Sequence, residues 1–158
     1  MSFLSAFNTS VSGMTAQRQR VNTISENIAN AETTRTPQGG PYRRREVILA
    51  SVANDRTFEE ELLSQDRSVS TSTEVKVVGI VQDERPPILR FEPGHPDANE
   101  EGYVEMPNVN IMEEMVNLMS ANRSYEANTA AFNATKNMVQ SALDLSLIHI
   151  SEPTRRDQ

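Results

Sequence analysis

Apolar residues at Phe7, Met14, Val21 and Ile28 recur at every seventh position near the start of the chain, with Leu4, Val11 and Ile24 beside them. A seven-residue repeat sets side chains along one narrow stripe of an α-helix, so Ser2 to about Ala31 is predicted to be an amphipathic helix. It should end in NAETTRTPQGGP, where Pro37, Gly39, Gly40 and Pro41 break helices and form loops. The spacing returns near the other end in Ile111, Leu118, Tyr125, Phe132 and Val139, with Met115 and Leu143 on a companion row. Asn110 is placed to cap this second helix with Glu113 reaching back, and Glu113 and Glu114 suit its positive end.

Between the helices the period changes. REVILASV (Arg45 to Val52), EVKVVGIVQ (Glu74 to Gln82) and ILRFEP (Ile88 to Pro93) are β-branched and partly alternating, bounded by Asp, Pro and Gly. They predict short strands of a small β-rich insert. The charged, Ser/Thr-rich run NDRTFEEELLSQDRSVSTST predicts a mobile loop with one helical turn. The expected fold class is therefore α+β, two terminal helices pairing as a coiled-coil-like core around a β-rich insert.

The polar positions change that picture. Arg18, Ser25, Asn122, Thr129 and Lys136 interrupt the companion rows, and the outer helical face is mostly Ala, Asn, Ser and Thr. A helical hairpin exposed to water would carry Glu and Lys there. Small uncharged residues instead permit close approach from several sides, which implies that other subunits cover these helices. With 37% hydrophobic and 5% aromatic residues and no Trp in 158, the chain has thin material for a core of its own. The interrupted seam implies that the terminal segments gain order on assembly.

Composition removes most chemistry. A net charge of −7 argues against a nucleic-acid binder, and the one basic cluster, Arg43, Arg44 and Arg45, reads as a solvated loop or edge-strand face. There is no cysteine, and His95 and His149 are the only histidines, so a transition-metal site or a nucleophilic triad has almost nothing to be built from. DANEEGYVEMPN (Asp97 to Asn108) imitates a calcium loop through Asp97, Asn99, Glu101 and Gly102. Asn108, however, stands where a bidentate Glu should close the shell, and the segment reads as an acidic turn. Gly39-Gly40 lacks the spacing of a phosphate loop. Acidic runs such as Glu59, Glu60 and Glu61 have no apolar surroundings to split their pKa values and read as solvated. Met112, Met115, Met119 and Met138 suit adaptable packing in a subunit interface. No catalytic, metal, cofactor or small-molecule site is expected. No Sec-type signal or membrane span is expected either, because MSFLSAFNTSVSGM has neither a basic n-region nor a continuous apolar run.

NTISENIANAETTRTPQGGPYRRREV (Asn22 to Val47), together with FEPGHPDANEEGYVEMPNVNIMEEMVNLMSANRSYEANTAAFNATKNM (Phe91 to Met138), resembles the FlgC family of bacterial flagellar basal-body rod proteins. That resemblance implies a non-enzymatic structural subunit of the proximal rod, with residues 1–34 and 110–145 as rod-core helices and 35–109 as a domain lying further out. It also implies assembly with copies of itself and other rod proteins, export by the flagellar type III apparatus, and residence in the basal-body rod across the periplasm. The assembly seam is expected at Phe7, Val11, Met14, Val21, Ile28, Ile111, Met115, Leu118, Tyr125, Phe132, Val139 and Leu143. A soluble coiled-coil adaptor or export chaperone is the alternative. Two departures stand out. Asn30-Ala31-Glu32-Thr33 carries Glu where the family has a second Asn, which should alter a capping bond. Residues 146–158, SLIHISEPTRRDQ, look similar to translated sequencing-adapter DNA and are assigned no function.

Overall fold

The computed structural model describes residues 3–53 and 73–150, with backbone alone for residue 53 and for 145–150. Helix α1 (Phe3–Ala29) and helix α2 (Ile111–Ile150) lie side by side and antiparallel. Phe7 meets Phe132 at one end of the pair, Gly13 sits under Asn128, and Asn27 reaches Glu114 at the other end. This is the terminal-helix core that the two heptad patterns predict, and a small antiparallel β insert follows α1. Asn110 caps α2 as expected, its Oδ1 accepting the N–H groups of Met112 and Glu113 at 3.1 and 3.5 Å. The helix continues to Ile150, which carries it into the segment assigned to the tail.

The face that α1 buries is made of Ser10, Gly13, Ala16, Thr23, Ile24 and Asn27, and α2 answers with Glu114, Ala121 and Thr135. Small residues let the two backbones come close. A Cβ added at Gly13 would stand 2.9 Å from the Asn128 amide nitrogen. Around Gly13 such closeness leaves little room between the helices, and Ile24, Asn27 and Glu114 are buried elsewhere. The hydroxyls along it are satisfied within their own helices. Ser10 donates to the Ala6 carbonyl, Thr23 to Gln19 and Thr135 to Ala131, at 3.0, 3.1 and 2.9 Å.

Strands β1 (Arg45–Ala53) and β2 (Thr73–Gln82) pair antiparallel from Arg45↔Gln82 to Ala53↔Thr73, with a register shift between Ile48 and Leu49. The hairpin runs back along α1. Asn27 holds Arg45 at one end, while Thr9 donates to the Thr73 carbonyl at 3.1 Å and the Ser12 hydroxyl accepts from Val75 N–H at 3.2 Å at the other. The lengths match. At ~3.3 Å per strand residue and ~1.5 Å per helical residue, β1 and the stretch of α1 beside it each span roughly 30 Å. The segment 54–72, with the expected mobile loop and Glu59 to Glu61, lies outside the described residues.

A second hairpin joins β3 (Ile88–Phe91) to β4 (Tyr103–Met106), in register from Ile88↔Met106 to Phe91↔Tyr103. The sequence pattern missed β4, which is short and lies inside the stretch that imitates a calcium loop. What that stretch builds is a turn around Asn99, whose side-chain oxygen accepts from the N–H groups of Glu101 and Tyr103 at 3.1 and 2.8 Å. Gly102 supplies the positive φ of 82° that the turn needs, with Phe91 and Pro93 packed against it. Asp97 accepts a 2.8 Å bond from the Thr34 hydroxyl and thereby links this turn to the loop after α1.

Just beyond β2, Asp83 accepts from the N–H of Arg85 at 3.0 Å and from its guanidinium at 2.8 Å. These bonds hold the Asp83 carboxyl down to about 2, against an ordinary 3.8. Because the folded value is depressed, the small stabilisation is present above about pH 4 and is lost as pH falls toward 2. Arg85 is exposed and Asp83 only partly covered, so solvent screens the pair and its contribution is small. An NMR titration of the carboxyl carbon should give a midpoint near 2, and Arg85→Ala should return it toward 3.8. An unchanged midpoint in Arg85→Ala would show that the guanidinium is not the cause.

Candidate functional site

The expected seam residues divide into two groups. Phe7, Met14, Val21, Ile28, Leu118, Phe132 and Val139 are half-buried along the helix pair. Phe7 and Phe132 meet edge to face with ring centres 4.9 Å apart, and Thr129 on α2 donates to the Met14 sulfur at 3.4 Å. Val11, Ile111, Met115, Tyr125 and Leu143 are exposed, Leu143 to 59%. The reason is a choice between rows. The Leu118–Tyr125–Phe132–Val139 row has Met115, Asn122, Thr129 and Lys136 on one side and Glu114, Ala121, Asn128 and Thr135 on the other. The structure buries Glu114, Ala121 and Thr135 of the second and lays Asn128 over Gly13, while Thr129 of the first still reaches Met14 on α1.

At the end of the pair where α1 stops and α2 begins lies a buried polar hub that the sequence pattern did not reveal. Asn27 is fully buried, and its amide pairs with both backbone groups of Arg45: Nδ2 donates to the carbonyl at 2.8 Å and Oδ1 accepts from the N–H at 2.9 Å. The side chain thus acts as one residue of a neighbouring strand and fixes where β1 starts. Tyr42 donates to the same Oδ1 at 2.9 Å, and Nδ2 also donates to Glu114 at 3.0 Å. Glu114, 1% exposed, takes a 2.8 Å bond from Arg44 Nε on its other oxygen. Arg44 is itself only 15% exposed and reaches Glu46 at 3.3 Å.

Burial pushes the Tyr42 phenol up. Burial works against the charge of Arg44, but the hydrogen bond and charge of Glu114 outweigh it, so its pKa rises. The expectation of a solvated loop or edge-strand face for Arg43–Arg45 is corrected at Arg44, which is an internal cation, whereas Arg43 is exposed and Arg45 opens an edge strand while pairing with Glu26 at 3.6 Å. Glu114 suits the positive end of the helix dipole by position, but it is buried by the turn of α2 that brings Ala121 inward. The available signal was a Glu on the same seven-residue row as Ala121, Asn128 and Thr135. The departure at Glu32 leaves the turn closed, since Thr33 donates to the Asn30 side chain at 3.2 Å and its N–H to the Asn30 carbonyl at 3.1 Å, with Glu32 exposed.

Large apolar side chains are exposed both on the strands, as at Val78, Leu89 and Phe91, and on the outward faces of the helices. On α2, Met112, Met115, Val116, Met119 and Met138 are exposed, Met112 to 71%, and on α1 so are Leu4 and Val11. Few large apolar side chains are buried among the described residues: Ile24, Tyr42 and Val104 are the main ones. An apolar surface of this extent on thin, paired helices marks a contact surface. Among the described residues no cluster of His, Asp or Glu is arranged to hold a metal, and no helix is long and apolar enough to cross a membrane.

Residues 7–35 match the family model described as flagella basal body rod protein, and residues 100–145 match the one described as flagellar basal body rod FlgEFG protein C-terminal. The two matches cover most of α1 with the turn after it, and β4 with most of α2. The chain is 43% identical over 147 residues to the flagellar basal-body rod protein FlgC of Borreliella burgdorferi, covering 90% of this chain and 97% of the relative. It is 44% identical over 150 residues to FlgC of Bacillus subtilis, covering 92% and 99%, and 38% identical over 145 residues to FlgC of Escherichia coli O6:H1, covering 92% and 98%. The likeness thus runs through both helices, the hub and both hairpins, and the chain belongs to the FlgC family of bacterial flagellar basal-body rod proteins.

Proposed function

We propose that this chain is a structural subunit of the proximal rod of the bacterial flagellum, joining copies of itself and other rod proteins in the shaft that transmits torque from motor to hook. Its role is structural rather than catalytic. The observation that carries the reading is the uncovered apolar surface on two paired terminal helices in a chain similar to FlgC along nearly its whole length. Residues 1–34 and 110–145 form the rod core and 35–109 the insert, and 146–158 contribute nothing to assembly. Phe7, Met14, Val21, Ile28, Leu118, Phe132 and Val139 hold the helices together, while Val11, Ile111, Met115, Tyr125 and Leu143 face neighbouring subunits. A rod subunit has to leave the cytoplasm, and the flagellar type III export apparatus is the route that family membership supports, with residence in the rod across the periplasm.

Circular dichroism of the purified chain with and without rod partners tests this reading. Helix signal beyond the sum of the separate proteins is expected, because partners cover the outer faces. Full helicity alone with no gain on mixing would sink it and favour a self-sufficient adaptor. Met119→Asp sharpens the test. Met119 is 56% exposed, so the charge should alter helix pairing by no more than ~0.5 kcal/mol. In a strain lacking its own copy, the variant should nevertheless be made and fail to yield rods, as counted by electron microscopy of basal bodies. Normal rods would remove the outer face of α2 from the assembly surface.

A further inference from the structure

We infer that Glu114, held by Asn27 and Arg44, is the register key of the helix pair, the residue that decides how far α2 is slid along α1. The inference rests on the proposed rod role, since the alignment of the two outer faces is what a neighbouring subunit would read.

The rest of the seam specifies register poorly. It is built of small residues, which make shallow knobs, and its larger side chains repeat every heptad. A slip of one heptad would set Phe7 against Tyr125 in place of Phe132, and Gly13 against Ala121 in place of Asn128. One aromatic replaces another, and a smaller side chain faces the glycine. Both exchanges keep a side chain of the same kind or a smaller one at the contact. Glu114 is different in kind. Its two carboxylate oxygens take bonds of 3.0 Å from Asn27 and 2.8 Å from Arg44. Asn27 is fixed by pairing with the Arg45 backbone, and Arg44 sits just before β1, so both partners stand at one height on α1. A buried carboxylate meets them in a single register, and any slip breaks both bonds. Buried polar groups are well attested as register devices in paired helices.

The absence of native cysteine makes the register directly readable. Two variants are made in the full chain. Met14→Cys with Thr129→Cys reports the observed register, because these side chains touch at 3.4 Å, and Met14→Cys with Asn122→Cys reports the slipped one. Each is oxidised in basal bodies from a strain lacking its own copy, and the crosslink within one chain is identified by gel mobility and peptide mass. The first pair should crosslink and the second should not. Adding Glu114→Leu should shift the ratio of the two by roughly tenfold or more toward the slipped pair, the scale of a lost hydrogen bond to a charged group. Arg44→Met, which leaves both helices unaltered, should shift it in the same direction. Ratios unchanged in Arg44→Met would overturn the inference, even if Glu114→Leu failed to fold. If none of the chains enters basal bodies, including the one with only Met14→Cys and Thr129→Cys, the rod role is in question. The same crosslinks in the purified chain then decide the register by themselves.

Discussion

Asn27→Ala will destabilise the helix-paired state by about 3 kcal/mol, the lower end of what breaking a buried charged network costs. The amide makes four hydrogen bonds: two with the Arg45 backbone, one from Tyr42 and one to Glu114. Alanine removes all of them and leaves a backbone N–H, a carbonyl, a phenol and a carboxylate short of a partner in a buried site. Each unsatisfied group costs about 1–3 kcal/mol, but the four share one cavity that water can enter, so the costs do not add. At ~1.4 kcal/mol per tenfold, the ratio of paired to unpaired chain falls by roughly a hundredfold. A competition measures this directly. When tagged Asn27→Ala is expressed beside the untagged parent, its share of the protein in purified rods should drop by about that factor. Equal incorporation would mean that the hub does not hold the pair together.

Leu118→Asp is expected to be at least as damaging. Leu118 is half-buried on the row that flanks the seam, one turn beyond Glu114 and one turn before Ala121. Aspartate there loses the apolar contact and sets a second carboxylate an i,i+4 step from one that is already buried. Like charges at that spacing repel, and the nearby internal cation Arg44 is already engaged with Glu114. An uncompensated charge in a desolvated contact costs about 3–5 kcal/mol, and Leu118→Met, which conserves volume, less than about 1.5. In a strain lacking its own copy, Leu118→Met should swim and Leu118→Asp should assemble no rods while the protein is still made. The same competition should show Leu118→Asp depleted at least as strongly as Asn27→Ala. Rods built normally by Leu118→Asp would show that this row is not in the contact. The contrast with Met119→Asp separates the two surfaces, since Leu118 is proposed to fail through pairing within the chain and Met119 through contact between chains.

Elements with a local cause were legible in the chain alone. Seven-residue apolar spacing is enough to make α1 and α2, Asn110 is enough to cap α2, and β-branched runs between turn residues are enough for β1, β2 and β3. The family was also legible, because the runs Asn22 to Val47 and Phe91 to Met138 are long and ordered. The missed strand β4 is four residues, YVEM, and such a segment has too little pattern to declare itself without its partner Ile88–Phe91. Which side of the Leu118 row would be buried was a tertiary decision. Met115 is the more apolar choice and Glu114 the worse one by hydrophobicity, yet Ala121 and Thr135 are buried, Asn128 lies over Gly13, and Glu114 comes inward with them. The hub has the same origin. Asn27, the pair Tyr42 and Arg44, and Glu114 come from three separate stretches of the chain, and each is an ordinary polar residue until the fold removes water from all of them together. Periodicity reports which faces are apolar, whereas the burial of a carboxylate depends on a cation and an amide arriving from elsewhere in the chain, and only the tertiary structure brings them.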